Sequence, residues 1–151
     1  MCLILDNNSV HRVLLKQDET ELFVLKQALL SPKDMSVRIV YGGKLREEYE
    51  TNADVRRVVA TLDKAGRARK IPDNAVDLAT QSVVSGNLCK SDDPHIIALA
   101  LVANVRLLCT QDKMLMDDFT NKEILKTPRG KIYTNGKHTH LLREACELPK
   151  R

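Results

Sequence analysis

The chain has 151 residues, the size of a single domain, and 43% of them are apolar, enough to bury a substantial core. With three Tyr, two Phe and no Trp that core must come from Leu, Ile, Val and Ala, and the net charge of +4 suits a polyanionic partner without requiring one. No apolar run approaches the roughly 18 residues of a membrane span, and the four cysteines (Cys2, Cys89, Cys109 and Cys146) form no Cys-x-x-Cys pair, which argues against a disulfide framework or a zinc site.

Cys2-Leu3-Ile4-Leu5 is a short apolar run closed by Asp6, the pattern of an opening strand with an acid at its carboxyl end. The opening MCLILDNN is too short an apolar stretch for a signal peptide, so with reduced thiols and no membrane partner the expected location is cytoplasmic. Asn7-Asn8-Ser9 are turn or cap residues ahead of a helix beginning near Val10. A second helix is expected over residues 19–30, with Leu22, Leu25 and Leu29 at helical spacing and Ser31-Pro32 as its stop. Residues 36–41 alternate Val37, Ile39 and Tyr41 as a strand, and Gly42-Gly43 turns the chain. Residues 44–50 form a short helix carrying Glu47 and Glu48.

Val55, Val58, Val59 and Leu62 fall at i, i+3, i+4 and i+7, the mark of a helix capped by Thr51 or Asn52 and ended by Gly66. Arg56, Arg57, Lys64, Arg67, Arg69 and Lys70 make this the most basic stretch of the chain. A solvated face accounts for such a stretch, and so does a surface that positions phosphates through Arg56 and Arg57, a non-specific and salt-sensitive role. Ile71-Pro72-Asp73 opens another helix with Val76, Ala79 and Val83 on one face, and Ser85-Gly86-Asn87 is a loop.

Asp92 and Asp93 precede Pro94, a residue favoured at the first position of a helix. Residues 96–103 are apolar on nearly every side, so that helix should be covered by other elements. Residues 105–109 are too few for a helix and fit a strand buried on both faces, ended by Thr110-Gln111-Asp112. A short helix with Leu115, Asp117, Asp118 and Phe119 follows. Lys131-Ile132-Tyr133 reads as a last edge strand, Asn135-Gly136 as a turn, and Leu141, Leu142 and Ala145 as a terminal helix.

Strands alternating with helices argue for a parallel sheet with helices on both faces, its carboxyl ends all on one edge. Asp6 and Asp112 then share that edge. A helix antiparallel to the last core strand starts there too, which brings in Asp93. Convergent carboxylates repel and resist desolvation, so a structure that gathers them usually supplies cations. Oxygen donors select Mg²⁺ or Mn²⁺, and such ions activate water and stabilise in-line phosphoryl displacement. Taken singly, Asp93 and Asp112 also fit helix caps and Asp6 a turn. Two of them closing apolar strands is what caps and turns leave unexplained. Glu48 alone fits a solvated glutamate.

In this order the residues resemble the PIN-domain nucleases over nearly the full chain: Leu3-Ile4-Leu5-Asp6, then Leu45-Arg46-Glu47-Glu48-Tyr49, then Asp93 seven residues before Ala100, then Thr110-Gln111-Asp112. The resemblance implies one PIN-like domain over 1–151, a three-layer α/β/α fold with a parallel sheet of four to five strands, and residues 128–151 as a C-terminal extension packed on it. It implies an endoribonuclease that hydrolyses RNA with Mg²⁺ or Mn²⁺, using Asp6, Glu48, Asp93 and Asp112. Asp6, Asp93 and Asp112 would be the metal ligands, and Glu48 a ligand through water or an orienter of the nucleophile. Many bacterial members are toxins neutralised by an antitoxin, so RNA and an antitoxin protein are the implied partners, and a homodimer is compatible. Glu47 competes with Glu48, and Asp92 with Asp93, although only Asp93 keeps the spacing to Ala100. Asp117 and Asp118 are both open as a further acid. His138 and His140 lie outside the signature and read as solvated or RNA-contacting. The rivals are a PIN-like module that binds RNA or protein without cutting, and a phosphorylated receiver-type domain, which wants an acidic pair after the first strand where this chain has Asp6 alone.

Overall fold

In the computed structural model, which describes residues 1–16, 22–31 and 37–143, strand β1 (Cys2–Leu5) is the middle strand of a five-stranded sheet. All of its residues are buried, as a strand covered on both faces demands. Asp6 then turns the chain into helix α1 (Asn7–Val10), which continues as a π-helical segment, His11–Leu15. Helix α2 (Phe23–Leu30) buries Leu25 and Leu29 and leads to β2 (Arg38–Gly42). The expected helix start at Glu19, the Pro32 stop, the strand start at Ser36, and Ala145 and Cys146 lie outside the described residues.

Helix α3 (Lys44–Glu50) follows β2 at once, because Gly43 takes φ +58° and Val76 packs where its side chain would stand. Asn52 caps α4 (Ala53–Lys64) by accepting from the N–H groups of Asp54 and Val55, and Gly66, at φ 74°, ends the turn after it. Next come β3 (Ala68–Ile71), α5 (Asp73–Gly86), α6 (Pro94–Ala103) and β4 (Leu107–Cys109). Helix α7 (Lys113–Thr120), strand β5 (Lys131–Ile132) and a 3₁₀ helix, Gly136–Arg143, complete the described chain.

The strands run β3-β2-β1-β4-β5 and every neighbouring pair is parallel. The architecture is therefore three-layer α/β/α, as the alternation of elements predicts. Helix α6 lies against α5, β2 and β3, and α4 packs on β3 and the π-helical segment. The burial of His95 through Ala100 in α6 follows from its position between α5 and the sheet.

Some expectations change. Residues 68–71 are a strand rather than part of a basic surface, because Ala68 and Ile71 are buried while Arg69 and Lys70 face outward to different degrees along a sheet edge. Arg67 is 3% exposed and donates to the carbonyls of Ala28 (3.3 Å) and Leu29 (2.7 Å), so it serves the carboxyl end of α2 and not a solvated face. Helix α5 runs through Ser85 and Gly86, and the loop begins at Asn87 in the left-handed conformation. The fourth strand is confined to Leu107–Cys109 because Asn104, also left-handed, makes residues 105–106 a connection. Cys2 is disulfide-bonded, against the expectation of reduced thiols throughout; Cys89 and Cys109 are free thiols.

Candidate functional site

From β1 the chain winds outward through β2 and β3, and it returns to the other side of β1 as β4 and β5. The strand order therefore reverses between β1 and β4, and the carboxyl ends at such a reversal form a crevice where ligands bind in open α/β sheets. The Asp6 amide donates to the Cys109 carbonyl (3.1 Å), closing the ladder at this edge. Asp6 Oδ1 accepts from the Asn7 amide (2.8 Å) and Oδ2 from the Thr110 hydroxyl (2.9 Å). Thr110 Oγ1 also accepts from the Asp112 amide (3.2 Å), so one buried threonine links the ends of both strands. Asp112 is exposed and caps α7, with Oδ1 accepting from Met114 (2.9 Å) and Leu115 (3.3 Å).

Tyr49 decides which glutamate of α3 faces inward. Its ring is 2% exposed and its hydroxyl donates to the Leu5 carbonyl, one residue before Asp6. That anchor turns Glu47 to solvent, with its side chain 69% exposed, and Glu48 inward, at 27%. Glu48 Oε1 lies 2.8 Å from Nε2 of His95, a residue 2% exposed near the start of α6. The approach is close in distance but off in direction, and neither atom has a well-formed hydrogen bond.

Asp93 occupies the cap position of α6, yet its side chain makes no capping bond, so its half-buried carboxylate is not used by the helix. Asp92 is exposed. Asp118 is 1% exposed and accepts from the amides of Lys90 (2.9 Å) and Ser91 (2.8 Å), clamping the loop that delivers Asp93. Asp117 is exposed. Of the two neighbours, Asp118 is thus a buried support for the loop.

Burial raises the Asp6 carboxyl above its ordinary range; the Thr110 and Asn7 hydrogen bonds oppose this, the charge of Glu48 adds to it, and His95 counters it. Burial also raises Asp93, reinforced by Asp6, Glu48 and Asp112 and opposed by His95. Asp6, Glu48, Asp93 and Asp112 therefore share one field. Among the described residues the grouped donor set differs in composition from the expected triad: atoms of Glu48, Asp93 and His95 lie within 4.8 Å of one another. Asp6 joins these through charge, and Asp112 through charge and Thr110.

His95 is absent from the sequence reading. The signal for it was an ionisable side chain inside an otherwise apolar helix, two residues beyond Asp93. Arg56 and Arg57 are exposed on α4; the Arg57 side chain is 80% exposed, with Asp54 at 3.9 Å. His138 accepts from the Thr134 amide (3.1 Å) and meets the Tyr133 ring edge-on, while His140 is exposed. Comparisons of the chain with protein-family models, curated proteins and solved structures give no significant match.

Proposed function

We propose that the chain is a metal-dependent endoribonuclease of the PIN type, cutting RNA phosphodiester bonds in the cytoplasm. The observation that carries this reading is the convergence of Glu48, Asp93 and His95, whose donor atoms lie within 4.8 Å of one another. Two carboxyls, Asp6 and Asp93, are held above their ordinary range by burial and by each other's neighbourhood of negative charge, at the edge of the sheet where ligands bind. Such a cluster is unfavourable alone and favourable around a cation. The donors fit one, since Glu48 Oε1 and His95 Nε2 are buried without well-directed partners. Mg²⁺ or Mn²⁺ held there would supply Lewis acidity and activated water.

Asp6, Asp93 and Asp112 would carry the balancing charge, and Glu48 would orient the attacking water. Thr110 keeps Asp6 and Asp112 aligned through its two hydrogen bonds. Arg56 and Arg57 would touch phosphates of the bound strand away from the scissile one. The likeness to PIN toxins extends the proposal to an antitoxin protein as the partner that restrains activity, and to a homodimer as the form in solution. Among the described residues no helix is long and apolar enough to cross a membrane.

The test is incubation of end-labelled single-stranded RNA with wild type and Asp93→Asn, with Mn²⁺ or Mg²⁺ and with a chelator. Internal cleavage by wild type only, abolished by chelator, is the expected result. Failure of wild type to cut with either ion, or undiminished cutting by Asp93→Asn, would overturn the proposal.

A further inference from the structure

We infer that His95 completes the cation site as a nitrogen donor beside Glu48 and Asp93, so that the site prefers Mn²⁺ and other first-row divalent ions over Mg²⁺. This rests on the reading of the crevice as a cation site, and not on the use to which the cation is put. Helix α6 is buried from His95 through Ala100, and His95 is the one residue of that run with a titratable side chain. An imidazole placed there needs a polar partner, because a buried polar atom without one is costly. Its Nε2 lies 2.8 Å from Glu48 Oε1, yet in a direction that forms no hydrogen bond between them.

A metal accounts for that geometry better than a hydrogen bond does. Ligand distances near 2.1 Å put adjacent donors on one octahedral ion about 3 Å apart and opposite donors about 4.2 Å apart. The Nε2–Oε1 separation matches adjacent donors, and the spread of up to 4.8 Å over Glu48, Asp93 and His95 closes with small side-chain rotations. The helix start fixes Asp93 and His95 relative to each other, and Tyr49 fixes Glu48 against them from α3. Neighbouring Asp6 supplies a further negative charge that attracts a cation without belonging to the tight set.

The donor set chooses the ion. Carboxylates and water suit Mg²⁺ and Mn²⁺ alike, but Mg²⁺ holds its waters and rarely gives one up for imidazole, which suits transition ions. Two carboxylates with one imidazole therefore select within the divalent ions that an all-oxygen rim would treat more evenly.

The experiment uses Mn²⁺ as probe, reading bound ion by loss of the free-ion electron paramagnetic resonance signal and displacing it with Mg²⁺. Pulsed measurements on the bound ion detect nitrogen coupling directly in wild type, without any substitution. Expected are ¹⁴N coupling, Mn²⁺ binding about tenfold or more tighter than Mg²⁺, and loss of both coupling and preference in His95→Gln. Bound Mn²⁺ with no nitrogen coupling, or unchanged preference in His95→Gln, would overturn the inference while leaving the nuclease reading intact. Nitrogen coupling in a protein that cuts no RNA would sustain the inference and end the nuclease reading. No binding of Mn²⁺ at all would remove both.

Discussion

Tyr49 places its ring in the core and its hydroxyl on the Leu5 carbonyl, and in doing so fixes the rotation of α3 about its axis. Successive residues of a helix point about 100° apart, so once Tyr49 is inward only one of Glu47 and Glu48 can reach the crevice. Glu48→Gln is therefore expected to abolish RNA cleavage and Glu47→Gln to leave most of it, measured as turnover on one labelled RNA; equal losses would detach Tyr49 from the selection. The same reasoning applies to the pair before Pro94. Asp93 makes no capping bond and shares the field of Asp6, Glu48 and Asp112, whereas Asp92 is exposed. Asp93→Asn should eliminate activity and Asp92→Asn should not, and the reverse pattern would shift the site by one residue. These preferences were legible in the sequence as spacing: the tyrosine adjoining one glutamate, and Ala100 at a fixed distance from one aspartate. His95 was not legible, because a histidine in an apolar helix declares burial but not what it is buried against.

At the scale of elements, α3 is held at its amino end. Gly43 enters it with φ +58°, and a Cβ there would meet Val76 Cγ1 at 2.7 Å. From within α3, Arg46 Nε donates to both oxygens of Asp73 at the start of α5, at 3.0 and 2.9 Å, and Nη1 to Glu50 at 2.7 Å. Gly43→Ala combines a strained backbone with a clash against a packed helix and should cost about 2–4 kcal/mol, measured by denaturant unfolding; a loss under about 0.5 kcal/mol would mean that α5 yields at this contact. The helices were legible from their periodicity, and the Gly-Gly turn from composition. Strand β3 was not, because its four residues include only two that are buried, and Arg69 and Lys70 made the stretch look like more of the α4 surface. That distinction matters for nucleic acid. Arg67 is committed to the end of α2 and is withdrawn from any phosphate surface, whereas Arg56 and Arg57 stand exposed on α4. Each single-strand phosphate contact contributes about 0.7 to the slope of log affinity against log salt. Arg56→Ala with Arg57→Ala should lower that slope by about 1.4 and barely change the melting temperature, whereas an unchanged slope would make the α4 face merely solvated.

For the whole molecule, the parallel topology is what brings scattered acids to one edge of the sheet. The reversal of strand order between β1 and β4 leaves a crevice at their carboxyl ends, the start of α6 borders it, and Tyr49 carries α3 to it. The convergence of Asp6 and Asp112 followed from a parallel sheet, and that of Asp93 from a helix antiparallel to the last core strand; Glu48 came only through the family resemblance, and the separate degrees of burial did not follow, since they depend on how far α3 and α6 cover the edge. Burial gives the protein a pH signature in the absence of metal. Both Asp6 and Asp93 are raised above 3.8 in the folded state, burial being the larger cause in each. Below that value they are protonated whether folded or unfolded and contribute nothing to the difference. As pH rises through the raised values the unfolded chain releases these protons first, so the native state binds more protons and stability falls with pH. Above them both groups are ionised and the full penalty persists to neutrality. Asp6→Asn and Asp93→Asn lack one ionisation each. In chelator, their melting temperatures should match wild type near pH 3.5 and rise above it toward pH 7. Saturating Mn²⁺ should then reverse the order, because an ion at a hundred times its dissociation constant stabilises wild type by about 2.7 kcal/mol and Asp93→Asn far less. A difference between variant and wild type that stays flat across this pH range would show that the crevice carries no ionisation penalty for a cation to relieve.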